Sequence, residues 1–501
     1  MANRSDTLSI LSGTAQNIVG IVVAAIATFA SNILISNVLG TAAFGVVTVM
    51  TQAAFVLSFA TRAGMDMAVL RDVAVEVGLG RTDRLRVPVA RAVTIAAVVS
   101  ALVAVAAWAF ASGVRQLFSI EGDVGRYVVE AAVIGLPFLA LANVWLSATR
   151  GLKIMRYTLY IFWAGQPILW LLLMLAGWTF SKTAWLSVLA YSASWAIAAG
   201  LSGLAWRKES LRWDKAPMEP GALAKLFRYA GPRAPAALFS QLLFWTDLFV
   251  LTNYASGDDV GIYSAALRAG QIIVLFLTSV SLMFSPFVAD LHNRGETARL
   301  DALFKNLTRW TIAATMPVFL LLLVAPAESL RVFGSGFSGG ETALLILIAG
   351  QFINIATGSV GFVLIMVGRT GWDLLVYGAS LAVNLGLAFW LCPRYGMEGA
   401  AIANSVTFAL SKWARLILVQ RFVDIQPYDR IYGRLVLPSL IGLAVMWGVH
   451  QVVPGGFLVD LLATASLGTL AYGAAYWLIG LTEKERAGAL GLLGKLRART
   501  S

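Results

Sequence analysis

A chain of 501 residues that is 59% hydrophobic and 13% charged carries more apolar surface than a soluble fold can hide, so a soluble domain is excluded. A net charge of +12 would suggest nucleic acid as the partner of a soluble protein; in a bilayer it reports loop orientation and contact with anionic lipid instead. The single Cys392 excludes an internal disulfide.

Apolar segments of about 20 residues, the length that crosses a hydrocarbon layer of about 30 Å, recur along the chain. They cover 12–36, 43–63, 91–112, 127–149, 157–179, 184–206, 234–254, 260–289, 306–326, 342–366, 371–392, 397–420, 433–453 and 457–479. Fourteen transmembrane helices result. With both termini cytoplasmic, 32 of the 38 Lys and Arg fall in cytoplasmic loops and their flanks, five (Arg115, Arg126, Lys182, Arg331, Arg394) fall outside, and Arg268 lies within a span. An odd number of spans would scramble that bias. The first apolar run is too long for the core of a cleaved signal peptide and reads as a membrane anchor.

In chain order, the opening hairpin ISNVLGTAAFGVV is nearly uncharged, with Gly40 and Gly45 permitting a close backbone path. The segment from Arg62 to Arg91, carrying Arg71, Arg81, Arg84 and Arg86, reads as a cytoplasmic loop touching headgroups. Residues 207–233 hold Pro217, Pro220 and Pro232 and several charges, the composition of a linker with a short interfacial helix. Gly334-Ser-Gly336-Phe-Ser-Gly339 matches G-x-G-x-x-G in letters, but it follows no strand and opens no βαβ unit, so it is no nucleotide site. His292 and His450 stand singly at helix ends, and no catalytic constellation is present in the sequence. Residues 481–501, with Leu492, Leu493 and Leu496 beside Lys495, Arg497 and Arg499, form a basic amphipathic tail suited to the inner leaflet.

The chain repeats itself. Asn37 and Asn253, Gly45 and Gly261, and Arg115 and Arg331 match at an offset of 216 residues, and Gly80-Arg-Thr82-Asp-Arg84-Leu85 matches Gly295-Glu-Thr297-Ala-Arg299-Leu300 at 215. The expected architecture is therefore an all-α polytopic membrane protein of two parallel-repeat six-helix lobes, 1–206 and 234–426. They are joined by the linker 207–233 and followed by two extra helices, 427–480, and the tail. The stretch from Gln241 to Gln271 is the part of the second lobe with chemistry to explain. Asp247 and Arg268 sit in apolar segments on either side of a polar turn over Ser256 to Asp259, and a charge at the bilayer centre costs about 2.5–3.5 kcal/mol on insertion scales. By helical rise Asp247 lies roughly 9 Å, and Arg268 roughly 12 Å, below the turn, depths that permit an ion pair. Ser31 and Gln52 occupy the matching positions of the first lobe, so the charge is confined to one half, and a Na⁺ or proton coupling site at Asp247 is a second reading.

LGTAAFG at 39–45, TDLFVLTNYASGDDVGIYSAALR at 246–268, LRVFGSGF at 330–337 and CPRYGMEGAAIANS at 392–405 together resemble the polysaccharide transporter branch of the multidrug/oligosaccharidyl-lipid/polysaccharide exporter superfamily, the O-antigen and capsule repeat-unit flippases. The resemblance implies a V-shaped two-lobe bundle in a bacterial inner membrane. It would move a polyprenyl diphosphate-linked oligosaccharide from inner to outer leaflet by alternating access, beside glycosyltransferases and a glycan polymerase, with no cofactor and no enzymatic activity. Such a substrate needs a hydrated, cationic and amide-lined path. Candidates within the spans are Arg268, Asp247, Gln52, Gln271, Gln166, Asn143, Asn354, Asn384 and Asn404; Arg62, Arg150 and Arg233 at cytoplasmic helix ends are candidates for meeting the diphosphate. Each amide serves equally as interhelical glue, and each terminal arginine as a topology determinant. The alternatives are a cation-coupled drug or metabolite antiporter, against which the two extra helices argue, a lipid II flippase, and a membrane glycan polymerase or ligase, for which the external loops are too short.

Overall fold

The structure, a computed structural model, describes the backbone of residues 4–120, 124–211, 213, 221–453, 455–483 and 485–487; within these, the side chains of 4–21, 124, 222–223, 225, 232–233, 282–283 and 285–286 are not described. Every regular element among the described residues is helical. Twelve helices are long and apolar enough to cross a membrane, and the bent pair Gly257–Gln271 with Val274–Ser281 makes thirteen. The longest, Thr370–Val423, has 54 residues, about 80 Å of helix at 1.5 Å per residue, too long for one crossing. It is two helices joined at Gly396, whose φ of 54° and ψ of −128° lie in a region closed to other residues without strain. Counted as two, it brings the crossings among the described residues to the fourteen expected.

Numbered along the chain, these are α1 Arg4–Leu39, α2 Thr41–Thr61, α3 Arg86–Ala109, α4 Val124–Gly151, α5 Thr158–Trp178, α6 Ala184–Ser210, α7 Ala222–Leu251, α8 Gly257–Gln271 with Val274–Asn293, α9 Thr297–Val324, α10 Glu341–Ala356, α11 370–395, α12 397–423, α13 Val436–Val452 and α14 Phe457–Gly480. Their outer faces present large apolar side chains, such as Leu102 and Val105 of α3, Trp447 of α13 and Leu462 and Leu470 of α14, all more than 60% exposed, as a lipid-facing surface requires.

Four details depart from the linear reading. The segment after Arg62 is no solvated loop: it contains the helix Met65–Gly78, whose Met65, Ala68, Val69 and Val73 repeat at helical spacing and pack against Val144 and Ala148 of α4. The interfacial helix expected in the linker is the opening of α7. The span expected over 342–366 is interrupted at residues 357–359 and resumes as Val360–Met366. α8 breaks after Gln271 with a bend of 47°. The prolines at 217 and 220 and the tail beyond residue 487 lie outside the described residues.

The described residues fall into two compact units, one drawn from 1–264 and 374–404, the other from 265–373 and 405–501. In the second, Phe284 stacks on Phe304 at 5.9 Å within a cluster that includes Val288, Leu300 and Val419. At its C-terminal end, Glu485 accepts hydrogen bonds from Arg309 and, at 2.6 Å, from Trp310 Nε1 of α9.

Positions matched in sequence also share local bonding. The Asn37 amide donates to Ile33 O (2.9 Å) and the Ser36 hydroxyl to the same oxygen (3.0 Å), while Asn253 and Thr252 donate to Phe249 O (3.5 and 2.7 Å). Arg81 N–H reaches Glu76 O and Glu296 N–H reaches Leu291 O, both at 2.9 Å. A further match appears only in three dimensions: Ile154 N–H bonds Thr149 O (3.1 Å) after left-handed Lys153, and Arg369 N–H bonds Leu364 O (2.9 Å) after left-handed Gly368. These are the helix-ending bonds of a left-handed cap, in equivalent places.

Candidate functional site

Arg62 follows the last residue of α2 and folds back over its own final turn. Its Nε donates to Ser58 O (3.1 Å), Nη2 to Ser58 Oγ (2.9 Å) and Nη1 to Asp66 Oδ2 (3.2 Å), and the guanidinium lies 4.0 Å from the centre of the Phe59 ring. With 3% of its surface exposed, Arg62 is a buried cation held by one carboxylate and one aromatic face. Arg150 and Asn143 stand seven residues apart on α4, on one helical face. Asn143 donates to Leu139 O (2.8 Å) and Arg150 Nη2 to Ser147 Oγ (2.5 Å).

These three expected residues converge on one cavity of about 260 Å³ in the first unit, completed by Asp66, Thr158, Phe162 and Trp163. Two polar atoms of its lining residues, Arg150 Nε and Thr158 Oγ1, are shut off from solvent with no hydrogen-bond partner. Buried donors left unbonded are costly and mark a place where a ligand or water completes the set. The wall that carries Thr158, Phe162 and Trp163 is the wide-wound turn Thr158–Gly165 that opens α5, an irregularity often found at functional sites. Two guanidiniums against one carboxylate leave the cavity net positive, while its aromatic rings offer flat faces to a sugar. Sequence reasoning missed Asp66, Thr158, Phe162 and Trp163. Asp66 was within reach, four residues beyond Arg62, but the wide turn has no signature in composition.

A second cluster surrounds Asp247, which is wholly buried in α7. Tyr263 of α8 donates its hydroxyl to Oδ2, and Asn404 of α12 donates Nδ2 to Oδ1 at 3.0 Å. The expected compensation of the intramembrane carboxylate thus comes from a phenol and an amide of the same unit; Arg268 belongs to the other unit. The turn before α8 is built by Ser256, whose Oγ accepts Asp259 N–H (3.1 Å) and donates to Asp259 Oδ2 (2.8 Å), a reciprocal cap that places Asp258 and Asp259 in the first turn of the helix rather than in the loop. Asp247→Asn removes an acceptor at nearly constant volume and leaves either Tyr263 or Asn404 facing a second donor. A loss of about 1–3 kcal/mol is expected, read as a lowered thermal unfolding midpoint in detergent.

The other candidates scatter. Gln166 donates to Ser194 Oγ (3.0 Å), an interhelical bond from α5 to α6. Asn354 donates to Gln351 Oε1 (2.9 Å) within α10. Asn384 is wholly buried in α11 with neither amide atom bonded. Gln52 and Gln271 are half-buried, and Gln271 ends the first segment of the broken α8. Arg268 occupies the last turn of that segment, where a cation complements the helix dipole. The side chain of Arg233 lies outside the described residues.

Residues 10–292, more than half the chain, match the model of a family described as polysaccharide biosynthesis protein. The chain belongs to the polysaccharide biosynthesis protein family. A probable low-salt glycan biosynthesis flippase of Haloferax volcanii is 25% identical over 249 residues, which is 49% of this chain and 52% of that protein. A proposed O-antigen transporter of Shigella flexneri is 24% identical over 189 residues, 37% of this chain and 44% of that one. The chain thus spans about half the length of the curated relatives it matches. Both are named for transport rather than catalysis. The fold is shared with the lipid II flippase MurJ in an inward closed conformation, at a TM-score of 0.72 and 14% identity over 92% of this chain and 97% of that one.

Proposed function

We propose that this membrane protein is a flippase that carries polyprenyl diphosphate-linked oligosaccharide repeat units from the inner to the outer leaflet by alternating access. In this reading it has both termini in the cytoplasm, and the two repeats act as the moving lobes. The observation that carries the proposal is the cavity of Arg62, Arg150 and Asn143. A diphosphate brings closely spaced negative charges into a low-dielectric region, and a net-positive pocket lined by two guanidiniums answers it with charge-assisted hydrogen bonds. Phe162 and Trp163 suit the first sugar. At about 260 Å³ the cavity takes a headgroup fragment, not a whole repeat unit, which fits a site that grips the conserved part of a lipid carrier and leaves the variable sugars elsewhere. The relatives' names support the same substrate class.

Coupling belongs in this reading to the Asp247 cluster, where a buried carboxylate held by two neutral donors is the group that a Na⁺ or a proton would neutralise. Arg268 and Gln271, at the break in α8, are further substrate contacts in the other unit.

The test is Arg150→Gln in full-length protein reconstituted into proteoliposomes with a polyprenyl diphosphate-linked oligosaccharide. Arg150 bonds to Ser147 of its own helix, so the unfolding temperature should hold. Loss of one charge-assisted bond, about 1.5–3 kcal/mol, should slow flipping about 10- to 100-fold. A wild-type rate for Arg150→Gln removes the cavity from the transport path.

A further inference from the structure

Glu328, His450 and Asp460 lie on three separate segments of the second unit, and each brings one ligand atom to within 4.8 Å of the others. Glu328 belongs to the short helix Pro326–Arg331 that follows α9, His450 to the last turn of α13 and Asp460 to the first turn of α14. His450 Nδ1 is 2.8 Å from Asp460 Oδ2, and Thr464 donates to the other oxygen, Oδ1, at 3.1 Å. Asp460 is 9% exposed, while the other two are half-buried and open to one side.

A His–Asp bond at the ends of two antiparallel helices explains itself, since the cation sits at a C-terminus and the anion at an N-terminus. Glu328 does not fit that account. A second carboxylate beside Asp460 brings like-charge repulsion that one imidazole offsets only in part. A divalent cation resolves it. One imidazole nitrogen and two carboxylate oxygens supply three of the four ligands that a tetrahedral zinc ion takes, with the fourth left for water, and a nitrogen donor with only two carboxylates disfavours Ca²⁺ and Mg²⁺. The Thr464 hydroxyl fixes the Asp460 carboxylate and leaves Oδ2 for the metal, the orienting contact that ligating carboxylates usually have.

We infer that Glu328, His450 and Asp460 form a binding site for a divalent transition metal of the zinc class. The metal takes the place of the proton between His450 Nδ1 and Asp460 Oδ2, which leaves to solvent; the neutral imidazole carries its proton on Nε2, and the ligand atoms, now up to 4.8 Å from one another, settle about 3.4 Å apart around an ion held at about 2.0–2.2 Å. It fastens α13 and α14, the two helices outside the sequence repeat, to the end of α9. Because it shares no residue with the cavity of Arg62 and Arg150, it does not depend on the flippase reading.

The experiment uses the full chain purified without a polyhistidine tag, stripped with a chelator and titrated with Zn²⁺ alone. Bound metal is counted by emission spectrometry, affinity is measured by calorimetry, and thermal unfolding is followed in parallel. One Zn²⁺ per chain is expected, with an unfolding temperature that rises with Zn²⁺ and not with the same concentration of Mg²⁺. His450→Gln and Glu328→Gln should each weaken binding by more than the roughly 10–100-fold that follows loss of an orienting group, and Thr464→Val by about that much. The chain has two histidines, so His292→Gln is the matched control and should bind as wild type. Glu328→Gln keeps the His450–Asp460 bond and thus the fold. If it, or His450→Gln, binds Zn²⁺ as tightly as His292→Gln, or if wild type takes up none, the cluster is an ion pair with a neighbour and no metal site.

Discussion

Gly261→Ala should destabilise the protein by about 1–3 kcal/mol or more, the usual cost of forcing a methyl into a packed contact. A Cβ at 261 would overlap the Thr41 carbonyl oxygen, far inside van der Waals contact, and one at Gly45 would sit 2.8 Å from the Gly261 nitrogen. Both obstacles are backbone, so no side-chain rotation relieves them and the N-terminal ends of α2 and α8 have to move apart. Thr41 donates its hydroxyl to Asp258 across the same contact, and that bond would stretch with them. Small residues that let two helix backbones approach are the usual means of association in lipid, where the hydrophobic effect gives helices no reason to stay together. The matched control is Gly386→Ala in α11, where a Cβ meets nothing within 4 Å, and alanine there should be neutral or slightly stabilising. Thermal unfolding in detergent reads both; equal midpoints for the two variants would mean that the contact at Gly45 and Gly261 holds nothing. The two glycines match at the 216-residue offset, so on the proposed two-lobe reading the contact packs one repeat's turn on the other's. In an alternating-access cycle a seam of that kind is where the molecule would have to open, and Gly261→Ala should then alter transport as well as stability.

The crossings were legible because a bilayer imposes a length and an apolarity that few other structures need, and a window of 18 or more apolar residues has almost no competing reading. The failures fall where one residue's conformation decides. Nothing in 342–366 distinguishes a continuous helix from one interrupted at 357–359, and nothing in Thr158–Gly165 announces its wide winding. At the site, Asp247 stood out because a carboxylate within a span needs an explanation, and Asn404 stood out as an amide within a span. Tyr263 did not, because a tyrosine in an apolar segment is ordinary until its hydroxyl is seen on Asp247. Arg62, Arg150 and Asn143 were selected singly by type and depth, and their convergence on one cavity depends on how α2, α4 and α5 are registered against one another, which no linear pattern encodes. His450 read as a lone helix-end residue for the same reason: its neighbours Glu328 and Asp460 arrive from other segments.

Arg415 and Asp373 show the same limit with a larger energy at stake. In the second unit Arg415 of α12 is 2% exposed and donates Nε to Asp373 Oδ1 of α11 at 2.9 Å and Nη1 to Ser411 Oγ at 2.6 Å, a pairing between helices that no linear pattern announces. Arg415→Met should therefore cost about 3–5 kcal/mol, because it leaves the buried Asp373 carboxylate without the guanidinium bonded to it, with Lys412 the nearby cation that remains, whereas most of the arginine's own packing is retained by the methionine stem. The pair itself need not stabilise the fold, since burying two charges costs much of what their attraction returns. Asp373→Leu combined with Arg415→Met should thus recover most of the loss or exceed wild type, an interaction of several kcal/mol in a double-mutant cycle. Unfolding midpoints of the four proteins in one detergent decide the matter. If the double variant is as unstable as the single, the damage lies in lost packing and hydrogen bonds to Ser411, and the ion pair is not what joins α11 to α12 at this end.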